Sequence, residues 1–405
     1  MRILHTSDWH LGCSLFGKKR YTEQESFLLW LAELIQTEQV DIVLVGGDVF
    51  DSPVPSHRAQ ELYYDFLHQV SRSTSRHIVI IGGNHDSPSL LNAPAELLKH
   101  LNIHVRGAMT ESLKDEVIVL KDEAGTALAV VCAVPFLRER DLRLVEAGEA
   151  SSDKEDKLAW GIKIHYQGVF DQAFLLAEEV PVIAMGHLFA AGASLKEGEA
   201  VRELYIGNLA RIPGGIFPDE LAYTALGHLH RQQSVGAREN LRYSGSPIPL
   251  SFTEAESPKL VLVVDILDRQ SRVRAVEVPQ KVRLCRIEGD WDKISAELQS
   301  LAFESLPCWL DVNYNGADIR PQLKQDILDL IADEDIELLR LRNERVTQKA
   351  LSKQKLEETL DDLDPQEVFR RCLELHKIEE DLAIELQACY NEILQDMAEQ
   401  DANAD

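Results

Sequence analysis

Five short stretches of this chain place aspartate, asparagine or histidine beside glycine or at the end of an apolar run. They are Asp8-Trp9-His10, Gly46-Gly47-Asp48, Gly83-Asn84-His85-Asp86, Gly186-His187 and Gly227-His228-Leu229-His230. A strand that ends in a tight glycine turn presents the next side chains at the carboxyl edge of its sheet, where open α/β folds bind ligands. Carboxylate, amide and imidazole groups together suit Mn²⁺, Fe or Zn²⁺. We therefore predict a sheet edge that gathers two metal ions, as in a hydrolase.

Apolar strand-like runs alternate with amphipathic helical stretches through the first two-thirds of the chain. Strands predicted at 3–6, 41–45 and 77–81 are separated by helices at 23–36 and 56–71, a βαβαβ order. Further predicted elements are a helix at 158–178 and strands at 128–134, 182–185, 223–226, 260–267 and 272–278. The later strands indicate a second sheet packed on the first, with helices outside.

The βαβαβ pattern restarts near residue 282. Strands are predicted at 282–287, 308–314 and 336–341, with helices at 291–301 and 319–331. A unit of about 60 residues is typical of a separate small domain. Because it contains no cluster of metal-seeking residues, we predict that it caps or shapes the cleft.

After residue 343 the composition becomes that of a charged helix. Asp364-Pro365-Gln366-Glu367 combines an N-cap residue, a proline at the first helical position and an acidic third position, which predicts a helix start. An apolar stripe at helical spacing follows, made of Leu382, Leu386, Cys389, Tyr390, Ile393 and Met397. A helix must bury such a stripe, either on its own chain or on a partner.

Composition excludes several classes of protein. The six cysteines form no CxxC pair, so neither a zinc knuckle nor a disulfide framework is indicated, and a reducing cytoplasm is expected. The chain opens on Met1-Arg2 and a short apolar run, and no apolar run is long enough to span a membrane, so we expect neither a signal peptide nor a membrane anchor.

The charge balance bears on nucleic-acid binding. The formal net charge is −26, whereas phosphate binders usually carry a basic footprint. Any DNA contact must therefore be local, at bound cations or at basic residues. One basic group, Lys18-Lys19-Arg20, lies just beyond the first metal-seeking stretch, although such a tripeptide is more often a solvated loop. The other candidates are Arg138, Arg140, Arg202, Arg231 and Arg242.

Spacing assigns metal ligands within the five stretches. A two-metal site needs one bridging carboxylate, and Asp48 suits that role because it follows a strand and a Gly-Gly turn. Asp8 and His10 stand two apart on an extended segment, so both can face one ion. The same period applies to His228 and His230.

The remaining candidates divide between metal and substrate. Asn84 offers a neutral carbonyl oxygen, and His187 follows a predicted strand. His85 is better placed to act on the substrate, by protonating the leaving oxygen or stabilising charge on a phosphate. Asp51 is a plausible carboxylate to orient His85, and Asp86 competes for that role.

The order Asp-x-His, Gly-Asp-x-x-Asp, Gly-Asn-His-Asp, Gly-His and Gly-His-x-His resembles the calcineurin-like metallophosphoesterases. Longer stretches of the sequence are similar to the DNA nucleases of this superfamily that work with a coiled-coil ATPase of the SbcC type. These stretches are MRILHTSDWHLG at 1–12, GGDVFDS at 46–52, PFLR at 135–138 and YSGSPIPLSF at 243–252. The resemblance covers almost the whole chain and is weakest after residue 343.

The resemblance implies specific ligand sets. One Mn²⁺ would be held by Asp8, His10, Asp48 and His230. The second would be held by Asp48, Asn84, His187 and His228. His85 would be the catalytic histidine, oriented by the carboxylate of Asp51.

The resemblance also implies an architecture and a reaction. Residues 1–280 would form a four-layer α/β/β/α nuclease domain, 281–342 a small α/β capping domain, and 343–405 C-terminal helices that dock on the ATPase. Two copies would dimerise within a heterotetramer. The reaction would be ATP-dependent 3′–5′ exonuclease cleavage of double strands and endonuclease cleavage of single strands, opening hairpins and processing DNA ends in replication, recombination and repair.

Two other functions stay open at this point. The metal constellation alone does not choose a substrate, so a small-molecule phosphodiesterase or nucleotidase of the same superfamily is one alternative. A non-catalytic scaffold that binds metal only to hold its fold is the other, which the complete residue set including His85 argues against.

Overall fold

The computed structural model describes residues 1–71, 77–122, 124–142, 151–191, 212–301, 306–318, 320–332, 335–343, 386, 387 and 390. The described residues form two compact units. The first takes those within 1–286, 302–311 and 331–340, and the second those within 287–301, 312–330 and 341–405. The predicted C-terminal helices, including the start signal at Asp364, lie outside the described residues except at 386, 387 and 390.

The first sheet contains the strands that carry three of the five metal-seeking stretches. Arg2–Thr6 is parallel to Ile42–Val45, which is parallel to His77–Ile81. All three are almost wholly buried, as expected of parallel strands covered on both faces. The full spatial order is Gln270–Glu277, Leu260–Leu267, Arg2–Thr6, Ile42–Val45, His77–Ile81 and Ile103–Arg106.

The second sheet carries the other two stretches. Tyr223–Gly227 is parallel to Val182–His187, so both strands bring their carboxyl ends to one edge. The spatial order is Gln233–Val235, Arg238–Tyr243, Tyr223–Gly227, Val182–His187, Ala127–Ala133 and Val117–Lys121.

The two sheets pack face to face with helices outside. Alternate residues of one strand show the arrangement: Leu44 packs between the sheets, whereas Val43 packs under the helices of the first sheet. The covering helices are Tyr21–Thr37 and His57–Ser71 on the first sheet and Ser151–Ala177 on the second. The predicted α/β/β/α sandwich is confirmed.

A third sheet consists of Arg283–Gly289, Cys308–Tyr314 and Ile336–Asn343. It accompanies the helices Trp291–Leu301 and Leu323–Leu330, so the predicted βαβαβ order is observed. The second helix begins at Leu323, four residues later than predicted, after a turn that contains Pro321.

Short elements complete the described part of the chain. The remaining α-helices are Pro88–Asn92, Ala95–Lys99 and Glu139–Leu142, and the 3₁₀ turns are Leu113–Glu116, Gly214–Ile216 and Glu254–Glu256. Two-residue strands pair Ser14–Leu15 with Lys18–Lys19 and Ala190–Ala191 with Ile212–Pro213. Among the described residues, no helix is both long and apolar enough to cross a membrane.

Candidate metal centre

The metal-seeking side chains meet where the two sheets bring their strand ends together. Asp8 and His10 follow the strand Arg2–Thr6, and Asp48 follows its parallel neighbour. The loops of the two sheets touch through backbone: a Cβ added at Gly227 would lie 2.1 Å from the carbonyl oxygen of Gly46. Only glycine permits this approach, so no larger residue fits at position 227.

Four of these residues have a strained backbone conformation. Asp8, His10, Asp48 and His228 have φ values of 54°, 45°, 48° and 99°, so the extended backbone expected at Asp8 and His10 is not observed. Non-glycine residues rarely adopt positive φ, and such strain concentrates at functional sites. The fold therefore holds these four side chains in place at a conformational cost.

The first group of donor atoms comprises Asp8, His10 and His230, all within 4.8 Å of one another. Nε2 of His10 lies 3.2 Å from Nε2 of His230. The opposite ring nitrogens face carboxylates, with Nδ1 of His10 3.3 Å from Asp51 and Nδ1 of His230 3.3 Å from Glu254. A carboxylate only accepts, so the hydrogen bond to Glu254 places a proton on Nδ1 of His230 and leaves its Nε2 with a lone pair that faces His10.

The second group comprises Asp48, His187 and His228. Nδ1 of His187 donates to the carbonyl oxygen of Gly46 at 2.8 Å, which leaves Nε2 with a lone pair. That nitrogen lies 3.0 Å from Oδ1 of Asn84 and 3.3 Å from Oδ2 of Asp48. Oδ1 of Asn84 is also 3.1 Å from Nδ1 of His228.

Both groups fit divalent cations. Acceptor atoms only about 3 Å apart repel one another in a buried site unless a cation or a proton lies among them. Burial lowers the pKa of His187, but the carboxylate of Asp48 outweighs it and raises the pKa to about 9, so the surroundings of this ring favour positive charge. Burial lowers the pKa of His228 to about 3, so this imidazole is neutral and able to bind metal.

Asp48 lies between the two groups. Its Oδ2 is 3.6 Å from Nε2 of His10 and 3.3 Å from Nε2 of His187. Its Oδ1 accepts the backbone N–H of His85 at 2.9 Å. Burial raises the pKa of this carboxyl, but His187 and its neighbours outweigh that effect and hold the pKa well below its usual range. Asp48 thus presents one ionised oxygen to both groups.

His85 stands beside the first group. Its ring centroid is 4.8 Å from that of His10, and its Nδ1 lies 3.0 Å from the backbone carbonyl oxygen of Asp51. His10, Asp51 and His85 also form a third set of donor atoms within 4.8 Å. Since a carbonyl only accepts, Nδ1 carries a proton and Nε2 is left for the substrate.

The contacts of Asp51 and Asp86 refine the roles expected from their spacing. The carboxylate of Asp51 is expected to orient His85, whereas the contact to Nδ1 comes from the backbone of the same residue. The carboxylate lies 3.3 Å from Nδ1 of His10. Asp86 accepts the backbone N–H groups of Gly83, Val49 and Phe50 at 2.9–3.1 Å, and so ties two loops together.

Two protein-family models and several known proteins match this chain. Residues 1–232 match the model of the calcineurin-like phosphoesterases, and residues 280–377 match the SbcD_C model, described as the type 5 capsule protein repressor C-terminal domain. The SbcD subunit of nuclease SbcCD from Escherichia coli strain K12 is 36% identical over 403 residues, which is 98% of this chain and 99% of that protein. The chain belongs to the SbcD family.

Other members of the SbcD family support the assignment. The SbcD protein of Rhodobacter capsulatus is 38% identical over 76% of this chain and 77% of its own length. The Bacillus subtilis protein of the same name is 38% identical over 65% of this chain and 66% of its own length. The first domain of the chain is accordingly a metallophosphoesterase domain, a hydrolase with a metal-binding site.

Two residues that contact the centre escaped prediction from the sequence. Glu254 faces His230, and Lys259 contacts both Glu254 and the backbone of His230. Glu254 lies two residues beyond the end of the YSGSPIPLSF stretch, and Lys259 precedes an apolar strand. Neither residue stands beside a glycine at the end of a strand, so the pattern that marks the five stretches does not single them out.

Proposed function

We propose that this SbcD family member is the nuclease subunit of an SbcCD-type complex, which hydrolyses DNA phosphodiesters with two divalent ions, Mn²⁺ in preference. The observation that carries the proposal is the position of Asp48, whose single oxygen Oδ2 lies within 3.6 Å of a histidine from each donor group. A shared carboxylate is what a pair of catalytic ions requires.

The residues have separate roles in this proposal. One ion would be held by Asp8, His10, Asp48 and His230. The other would be held by Asp48, Asn84, His187 and His228. When bound, the pair supplies positive charge to the phosphate and to its entering and leaving oxygens.

His85 would act on the phosphodiester itself. Asp48 holds its backbone N–H and Asp51 holds its Nδ1, so both ends of the residue are fixed. Nε2 can then hydrogen-bond to a phosphate oxygen or deliver a proton to the leaving oxygen. Asp51 would assist through its backbone carbonyl and through its carboxylate beside His10.

Arg138 supports a nucleic-acid substrate. Its Nη2 donates to the backbone carbonyl of Asp86 at 3.1 Å, and its guanidinium lies 5.9 Å from the ring of Phe136. That ring in turn contacts His187 at 6.1 Å between centroids. A fixed guanidinium near the centre can bind a phosphate of the substrate strand, despite the net charge of −26.

We further propose the wider context of the reaction. Residues 1–280 would be the nuclease domain, 281–342 the capping domain, and 343–405 the helices that dock on an SbcC-type coiled-coil ATPase. Two copies would dimerise within a heterotetramer in the cytoplasm, with ATP-dependent 3′–5′ exonuclease and single-strand endonuclease activities. Support comes from a relative that is named as one subunit of the nuclease SbcCD and matches 98% of this chain. A small-molecule phosphodiesterase would not need the segment matched at 280–377.

The test is a Mn²⁺-dependent cleavage assay on a hairpin-ended duplex, with the full chain alone and with an SbcC-type partner and ATP. We expect cleavage only with Mn²⁺, stimulated by partner and ATP, and abolished by EDTA. A nucleotide monoester serves as the comparison substrate. Hydrolysis of the monoester with no cleavage of any DNA would overturn the proposal in favour of a nucleotidase, and no hydrolysis of either would favour a scaffold.

A further inference from the structure

His230 is the ligand of the first donor group whose backbone and side chain are both held by one buried polar cluster. Its Nδ1 faces Oε1 of Glu254 at 3.3 Å, and its backbone carbonyl oxygen accepts Nζ of Lys259 at 3.1 Å. The same carbonyl accepts the backbone N–H of Ser246 at 3.1 Å. Both the ring and the main chain of His230 are therefore fixed from one side.

The two oxygens of Glu254 are used differently. Oε2 accepts Nζ of Lys259 at 2.6 Å, the hydroxyl of Ser246 at 3.0 Å and the backbone N–H of Leu250 at 3.1 Å. Oε1 is the oxygen that faces His230. The three donors fix the carboxylate plane, and that plane sets the direction from which Nδ1 of His230 is bound.

Lys259 is buried and uses all three of its donor positions. Its side chain is 6% exposed, and Nζ donates to the carbonyl of His230, to the hydroxyl of Ser246 and to Oε2 of Glu254. The segments approach so closely that a Cβ at Gly245 would lie 2.8 Å from the carbonyl oxygen of His230. This lysine thus joins the carboxylate to the backbone of the residue it orients.

Stability alone does not account for burying this ion pair. Apolar residues of similar volume often replace a buried pair at no cost, because desolvation offsets most of the attraction. A glutamate alone would leave one buried negative charge without a compensating cation. The ammonium of Lys259 compensates that charge while leaving Oε1 as a hydrogen-bond acceptor.

We propose that Glu254 and Lys259 are positioning residues of the metal centre, which fix His230 in the ring orientation and tautomer that bind metal through Nε2. The inference rests on the proposed function, because it takes His230 as a metal ligand. Neither residue would touch the substrate. Their loss should therefore change the affinity for one ion and leave the other ion bound.

The test measures Mn²⁺ binding to the metal-free full chain by electron paramagnetic resonance, which counts free Mn²⁺ and needs no activity. For Glu254→Ala we expect one of two ions to bind about 10–100-fold more weakly, the usual cost of losing such a partner. Glu254→Gln retains an oxygen acceptor for Nδ1 and should restore part of the affinity. Lys259→Met should weaken the same ion, and Glu239→Ala, at an exposed glutamate, should bind like the wild type.

A double-substitution cycle guards against a merely structural effect. In a His230→Ala background, Glu254→Gln should change Mn²⁺ affinity no further, because the residue it acts through is gone. Two ions bound with wild-type affinity by both Glu254 variants would overturn this inference alone. A wild-type chain that binds no Mn²⁺ would overturn the proposed function and this inference together. Unfolding curves show whether each variant folds. If Glu254→Ala does not fold, the Mn²⁺ affinity of Glu254→Gln, which conserves the side-chain volume, tests the inference.

Discussion

Nδ1 of His85 lies 3.0 Å from the backbone carbonyl oxygen of Asp51, while the carboxylate of Asp51 lies 3.3 Å from Nδ1 of His10. One residue thus contacts the proposed catalytic histidine through its main chain and a proposed metal ligand through its side chain. The main-chain contact survives any substitution at residue 51 that preserves the loop. The two roles can therefore be separated by mutation.

Asp51→Asn should affect the metal and spare His85. The amide keeps the size of the carboxylate but removes its charge beside His10, so Mn²⁺ affinity at the first donor group should fall about tenfold, the lower end for such a contact. Cleavage at saturating Mn²⁺ should stay close to wild type. A reduced maximal rate with unchanged Mn²⁺ affinity would instead assign the orientation of His85 to the carboxylate.

His85→Ala should separate chemistry from metal binding. Removing a group that transfers a proton or stabilises charge typically costs about 10²–10⁴ in rate. The four ligands proposed for each ion remain, so the bound Mn²⁺ per chain should not change. Single-turnover cleavage of a hairpin duplex and atomic emission measure the two quantities, with His57→Ala as a control at an exposed histidine. Undiminished cleavage would remove His85 from the mechanism.

Asp48→Asn, unlike His85→Ala, should lower the metal content as well as the activity. Oδ2 of Asp48 is close to a histidine of each group, so a neutral amide weakens both ion sites at once. We expect the Mn²⁺ content to fall by at least one ion per chain and cleavage to be lost. Asp268→Asn, at a surface turn with positive φ that asparagine tolerates, is the matched control. Retention of two tightly bound ions would contradict the shared role.

Much of this arrangement could be predicted from sequence, for a physical reason. A run of apolar residues followed by glycine and a polar side chain predicts the carboxyl end of a buried strand. Parallel strands bring their carboxyl ends to the same edge of a sheet, so side chains that follow such strands are expected to lie close together. The structure brings Asp8, His10, Asp48, Asn84 and His85 of the first sheet together with His187, His228 and His230 of the second.

Other features depend on contacts that sequence spacing does not encode. Glu254 and Lys259 acquire their roles only when the chain after Tyr243 folds back on His230. Nor does spacing reveal whether Asp51 uses its main chain or its side chain. The strands Ile103–Arg106, Val117–Lys121 and Gln233–Val235 also escaped prediction, and each is an edge strand of its sheet.

Acid should destabilise the fold through His5, a buried residue whose Nδ1 lies 2.9 Å from the hydroxyl of Tyr223. Burial lowers the pKa of His5 from 6.5 to about 3, so the unfolded chain binds this proton first. The contribution of neutral His5 is complete above pH 6.5 and is lost as the pH falls toward 3.

The measurement compares urea unfolding of wild type and His5→Asn in EDTA at about pH 7.5 and about pH 5, on either side of the unfolded-state pKa of histidine. Asparagine cannot be protonated, so the stability advantage of the wild type should shrink at the lower pH. His57→Asn, at an exposed position, controls for the loss of an imidazole. An advantage that is constant or grows in acid would contradict a neutral buried His5.

Gly83→Ala should disable the metal centre through steric overlap. A Cβ at Gly83 would lie 2.1 Å from Oδ1 of Asp48 and 2.4 Å from its backbone nitrogen, so Asp48 must shift away from both donor groups. Overpacking of this kind typically costs about 1–3 kcal/mol of folding free energy. Mn²⁺ content should fall together with cleavage. Gly215→Ala adds the same methyl group where no atom lies within 4 Å, and it should behave as wild type in both assays. Two bound ions and full activity in Gly83→Ala would contradict this prediction. That result would show that the close approach of Gly83 to Asp48 does not position the shared carboxylate.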